Sequence, residues 1–226
     1  MKPESADLEK SRIIRELKSL ENPKNKEGMA RFGIVSDTAF GVPLPKLREL
    51  AKKIGKNHEL AQKLWTESIH ELKMLACFVD EPEKVTEAQI EKWTNEFYSW
   101  DICDQCCSNL WDKTEFAWKK PYEWAKSDKE FVRRAGFVMM ACLAVHDKKA
   151  DDSKFVQFFP LIKKYSTDER NFVRKAVNWA LRQIGKRNKN LNKQAIKVAE
   201  DIKEIDSKSA KWIAADALRE LKSRKF

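Results

Sequence analysis

The sequence predicts an all-α protein, and three observations carry that expectation. Only six of 226 residues are glycine, alternating strand patterns are few, and the good helix formers Leu, Ala, Lys and Glu are abundant. Pro23, the Pro43/Pro45 pair, Pro82, Pro121 and Pro160 fall where helix boundaries are expected, because proline lacks the N–H that continues a helix. The chain also repeats itself. EFVRRAGFVMMACL, beginning at Glu130, aligns with NFVRKAVNWALRQI, beginning at Asn171, with Phe131 over Phe172, Val132 over Val173 and Ala135 over Ala176. The 41-residue offset suits HEAT-like or armadillo-type units, whose helices stack into a curved superhelix with one layer lining the concave surface. No segment is long and polar enough to act as a linker, so one domain over residues 1–226 is expected.

Along the chain, residues 1–28 are highly charged and are expected to dock loosely. HELKMLACFV, from His70, is a fainter echo of the repeat. In EFYSWDICDQCCSNLW, Ile102, Cys103, Cys106 and Leu110 share the apolar side of a helix. Asp101, Asp104 and Ser108 lie opposite, with Trp100 at the edge one turn from Asp104. The helix from Glu130 carries Val132, Ala135, Gly136, Met139, Met140 and Leu143 on its core side. Arg134 shares the other side with Phe137, Val138 and Ala141, which predicts a partly apolar setting and an anionic partner, either Asp104 or a phosphate. In the helix from Asn171, Val173, Ala176, Val177, Ala180, Leu181 and Ile184 form the core stripe, and Lys175, Asn178, Trp179, Arg182 and Lys186 gather opposite. AKWIAADALREL, from Ala210, is the last echo of the repeat. The other tryptophans, Trp65, Trp93, Trp111, Trp118, Trp124 and Trp212, are assigned mainly to packing.

A formal net charge of +10 makes nucleic acid the leading class of partner. No apolar run reaches about 18 residues and no apolar segment follows Met1, so neither a membrane span nor a secretory signal is expected, and a cytoplasmic location is. Five cysteines, an odd number in a reducing compartment, argue against a disulfide framework. Cys103, Cys106 and Cys107 lack a second pair and a nearby histidine, so they read as small core residues and no metal site is expected. The chain has no phosphate-binding glycine loop and no nucleophile elbow. Its histidines, His58, His70 and His146, form no recognisable triad or metal spacing, and no organic cofactor is expected.

Two readings of each singled-out residue follow from the residues alone. Trp179 either edges the core among solvated lysines or offers a stacking face beside cations suited to a nucleic-acid backbone. Asp101 and Asp104 either cap and pair locally or supply negative charge to a reaction, since acids in a polyanion-binding groove otherwise weaken binding. Arg134 makes either a structural salt bridge or a phosphate contact.

FYSWDICD, FVRRAGFVM and FVRKAVNWALRQ, in that order and with AFGVPLPKLRELAK upstream, resemble the DNA alkylation repair family of HEAT-like-repeat DNA glycosylases, from roughly Leu8 to Leu221. The combination at these spacings is specific, whereas WDxxD alone is not. The resemblance implies hydrolysis of the N-glycosidic bond of N3- or N7-alkylated purines in double-stranded DNA. It also implies catalytic roles for Trp100, Asp104, Arg134 and Trp179: the aromatics and the carboxylate surround the deoxyribose of the lesion, and the arginine holds a neighbouring phosphate. Duplex contacts are expected from Arg133, Arg174, Lys175, Arg182 and Lys186, of which only some touch phosphate, and from Lys46 and Phe32 near the site. The chain departs from the family at Pro43 and Leu44, where members present polar residues, and at Phe32, which has no hydroxyl to donate. A monomer is expected. The alternatives are a catalytically silent DNA-binding relative and a repeat scaffold for an acidic protein.

Overall fold

The computed structural model describes residues 5–34 and 37–226, and regular structure among them is helical throughout. Residues 1–4, at the start of the segment expected to dock loosely, lie outside the described residues. Backbone contacts divide the chain into two compact units, Met1–Thr114 and Glu115–Phe226.

The first unit holds α1 (Ala6–Ser19), α2 (Pro23–Arg31), α3 (Leu44–Ile54), α4 (His58–Trp65), α5 (His70–Val79), α6 (Glu87–Asn95) and α7 (Trp100–Asn109). Local chemistry sets several starts: Ser5, Asn22, Asn57 and Thr86 each accept a bond from an otherwise unsatisfied N–H of the first turn. Helix α1 is docked more firmly than its charge predicts. It buries Ile13 and Leu17 and is tied to the α4 region by Lys63–Asp7 at 2.5 Å and Lys10–Glu67 at 2.6 Å. The segment before α3 hangs on one buried carboxylate, because Glu71 accepts from the backbone N–H groups of Phe40, Gly41 and Val42. Between the helices Trp65 stacks on Trp93 with ring centroids 4.2 Å apart, and Trp111 packs against Trp93 at 5.6 Å. Cys77 on α5 and Cys106 on α7 are disulfide-bonded. That corrects the expectation of unpaired cysteines: two faces that each place a small residue inward bring the Cα atoms to 5.1 Å. Cys103, Cys107 and Cys142 are buried.

The second unit holds α8 (Lys120–Trp124), α9 (Glu130–His146), α10 (Asp152–Val156), α11 (Phe159–Tyr165), α12 (Asn171–Gly185), α13 (Lys189–Lys203) and α14 (Lys208–Ser223). The repeated segments are α9 and α12, and they pack side by side with equivalent residues as neighbours. Phe131 meets Phe172 at 5.6 Å, and Arg134 Nη1 donates to the Phe172 carbonyl at 2.5 Å. Every core position expected on α12 is fully buried. Helix α9 goes further than its pattern: Phe137, Val138 and Ala141, on the side of Arg134, are buried too. At Gly136, α8 comes so close that an added Cβ would lie 2.5 Å from the Ala125 nitrogen. One acid joins the starts of the repeats. Asp168 accepts from Arg133 at 2.7 Å and Arg170 at 2.6 Å, while its carbonyl accepts from Ser209. Burial alone would raise its pKa, but the bonds from Arg170 and Arg133 outweigh burial and hold it below the usual aspartate value.

Candidate functional site

Helix α7 starts at Trp100 after Ser99, which is extended. Its two aspartates part company there. Asp101 is only 8% exposed and turns inward, accepting from Ser99 and lying 2.8 Å from Nε2 of the buried His70. The other ring nitrogen of His70, Nδ1, lies 3.0 Å from the Tyr98 hydroxyl, so both imidazole nitrogens are engaged. Periodicity had grouped Asp101 with Asp104 on the displayed side; the approach of α5 removes it. Asp104 remains half-buried one turn beyond Trp100.

Trp100 is oriented from outside its own helix, since its Nε1–H donates to the Phe32 carbonyl at 2.9 Å. The structure therefore brings Phe32 to Trp100, but through backbone; Phe32 itself is 70% exposed. A cavity of about 220 Å³ opens beside Trp100, with Met29, Val42, Leu44, Leu47 and Met74 among its walls. Leu44, a departure from the family pattern, thus faces an apolar space. Lys46 is exposed and paired with Glu49 at 2.9 Å. Sequence reasoning missed Arg48, whose Nη2 donates to Gln105 Oε1 on α7 at 3.1 Å. An arginine two residues from Lys46 on an exposed face of α3 was the available signal.

On the second unit, Arg134 is 6% exposed and bound to the α12 backbone, as its apolar surroundings require. Trp179 is half-buried on α12. The surrounding cations divide into two groups. Arg133 is held by Asp168 and Asp128, Arg182 by Asp216 at 2.8 Å and Glu220 at 3.1 Å, and Lys186 by Glu220 at 2.8 Å. By contrast, Lys175 is exposed, and Arg174 lies over the Trp212 ring, 4.6 Å from its centroid. Asn178, grouped by periodicity with the displayed residues, is buried and donates to Asp216 at 2.7 Å. Burial pushes the Asp216 carboxyl up, but Asn178, Arg182 and Arg219 together bring it below the usual value. Trp212, assigned to packing, is instead 38% exposed. Trp100 and Asp104 belong to the first unit, and Arg134 and Trp179 to the second. Among the described residues, no group of three or more His, Cys, Asp or Glu side chains is arranged to hold a metal ion, and no helix is long and apolar enough to cross a membrane.

The chain is 29% identical over 126 residues to an uncharacterized protein of Listeria monocytogenes, and 28% identical over 126 residues to one of Listeria innocua. Each match covers 54% of this chain and 56% of the relative, little more than half the length of these curated proteins. A solved structure described as a new family of proteins related to the HEAT-like repeat DNA glycosylases, with affinity for branched DNA structures, superposes with a TM-score of 0.77 at 18% identity. It covers 93% of this chain and 94% of that one. At that identity the likeness shows the fold: an all-α, HEAT-like helical repeat. The family model of the DNA alkylation repair enzymes matches residues 13–221, nearly the whole chain, and the protein belongs to that family.

Proposed function

We propose that the protein is a DNA glycosylase that excises N3- or N7-alkylated purines from duplex DNA. The observation that carries this reading is the division of labour on α7. Asp101 is consumed by His70, whereas Trp100, oriented by the Phe32 carbonyl, and Asp104 one turn on both remain half-buried. An alkylated purine already bears positive charge, so its glycosidic bond breaks without a strong general acid, and the bonding electron pair leaves with the base. Positive charge then develops on the sugar. Asp104 stabilises it and accepts a proton from the water whose oxygen bonds to C1′, a logic shared with carboxylate glycosidases. On the same helix Trp100 gives a π face to that cation; on the second unit we propose DNA contacts by Trp179, through its π face, and by Arg134, to a phosphate. Lys175 and Arg174 supply further backbone contacts, with Arg133, Arg182 and Lys186 already engaged by acids.

The test is release of methylated bases from methylated duplex DNA, followed chromatographically. Release above the spontaneous rate is expected; release at the spontaneous rate would falsify the glycosylase reading. A second reading, DNA binding without excision and with preference for branched DNA, is favoured by the affinity described for the structural neighbour. It predicts no base release together with tighter binding of a four-way junction than of a linear duplex.

A further inference from the structure

We infer that Trp212, with Arg174, forms a stacking site for an unstacked nucleobase, so that the second unit takes DNA carrying an unpaired nucleotide in preference to a closed duplex. The inference rests on the DNA-binding reading above, but not on excision. Two independent observations carry it.

The first is the indole itself. Among the eight tryptophans of the chain, Trp212 is the one placed among the exposed large hydrophobic residues, at 38%. Its position on α14 sends the ring toward α12, where the Arg174 guanidinium lies over it at 4.6 Å. Arg174 is steadied by a bond from Nη2 to the Asn171 side chain at 3.2 Å. The guanidinium therefore covers one face of an indole that stays partly exposed, although a tryptophan ordinarily buries most of its area.

The second is uncompensated charge. Among the described residues no carboxylate lies within ion-pair distance of Arg174, Lys175 or Lys208, in contrast to Arg133, Arg170, Arg182 and Lys186 in the same unit. Lys208 stands one helical turn before Trp212, whereas Lys211, the residue next to it in sequence, is paired to the highly exposed Asp206. An exposed indole with Arg174 over its ring and Lys208 one turn before it, neither engaged by a carboxylate, fits a ligand that joins a flat ring to a phosphate. Within a closed duplex both faces of every base are covered by neighbours, so an indole can engage only a nucleotide outside the stack, at an end, a gap or a branch. Stacking of this kind is indifferent to base identity, because every base presents a π face.

The experiment measures fluorescence anisotropy of the full chain with a blunt duplex and with the same duplex carrying a short single-stranded overhang. The overhang is expected to tighten binding about tenfold, from the usual strength of base–indole stacking. Trp212→Ala should bring the two affinities together, and Trp212→Phe should restore part of the difference. A native ratio near one overturns the inference, as does an unchanged ratio in Trp212→Ala, or an equal loss on both DNAs. Circular dichroism confirms that the variants are folded, and Trp212→Phe keeps the test valid if the alanine variant is not. Trp212-dependent self-association in sedimentation velocity, with no change in the DNA ratio, would reassign the surface to a second copy of the chain. Failure to release methylpurines from the blunt duplex removes the glycosylase reading and leaves this ratio untouched, so the two ideas fail separately.

Discussion

Two aspartates three positions apart on α7 have opposite fates, and substitution should separate them. Asp101 is bonded to His70 and Ser99 in the interior, so Asp101→Asn gives the imidazole a poorer partner and is expected to lower stability by about 2 kcal/mol. Urea denaturation reads that loss, and excision per folded molecule should change little. Asp104→Asn is expected to do the reverse, slowing single-turnover excision about a hundredfold or more while duplex affinity stays within a few-fold, because the lost charge acts on the transition state and repels phosphate in the ground state. Wild-type excision by Asp104→Asn would mean that another group carries the reaction. Trp179, half-buried, poses the same question. If Trp179 serves DNA rather than the core, its replacement by Ala slows excision with a small change in melting, and Trp179→Phe recovers part of the rate; a core role predicts a loss of roughly 3 to 5 kcal/mol with chemistry preserved.

Among the elements, the register of α9 against α12 depends on groups at their starts. Asp168 is 6% exposed at its side chain and receives Arg133 and Arg170. Asp168→Asn leaves two guanidinium groups without their carboxylate and is expected to cost about 3 kcal/mol at neutral pH. The pH dependence has a definite sign. The folded pKa of Asp168 is depressed below the ordinary aspartate value, so its stabilisation is present above that value and is lost as pH falls through the lower folded pKa. The melting difference between wild type and Asp168→Asn should therefore narrow below about pH 4, and a constant difference down to pH 2 would exclude the linkage. Gly136 tests the packing of α9 on α8. A valine there must displace the Ala125 backbone, and a loss of about 3 kcal/mol or failure to fold is expected by thermal unfolding.

For the whole molecule, a net charge of +10 means that binding to DNA falls with salt through counterion release, whatever the chemistry at the lesion. The cations are not equivalent in this respect. Lys175 is exposed, whereas Arg133 is held by Asp168 and Asp128. Lys175→Ala should reduce the slope of log affinity against log salt by about 0.9, the contribution of one phosphate contact. Arg133→Ala should leave the slope unchanged and lower the melting temperature instead. The opposite pattern, measured by anisotropy titrations at several salt concentrations, would exchange their roles.

The repeat determined a great deal from sequence alone. Phe131 and Phe172 align in the two segments and touch in the fold, and Val173, Ala176, Val177, Ala180, Leu181 and Ile184 are buried as their spacing requires. A helix fixes the angle of each residue about its own axis, so the stripe that must face inward is legible in one dimension. Which neighbour covers the remaining angles is not. Asp101 and Asn178 sit at polar positions of their wheels, yet His70 on α5 and Asp216 on α14 claim them from 31 and 38 residues away. The pairing of Cys77 with Cys106, the exposure of Trp212 and the capture of Arg133 by Asp168 have the same origin. Sequence periodicity determined which helices form and what they bury; only packing between helices decided which polar and aromatic groups were left for a ligand, because that choice depends on partners distant in the chain.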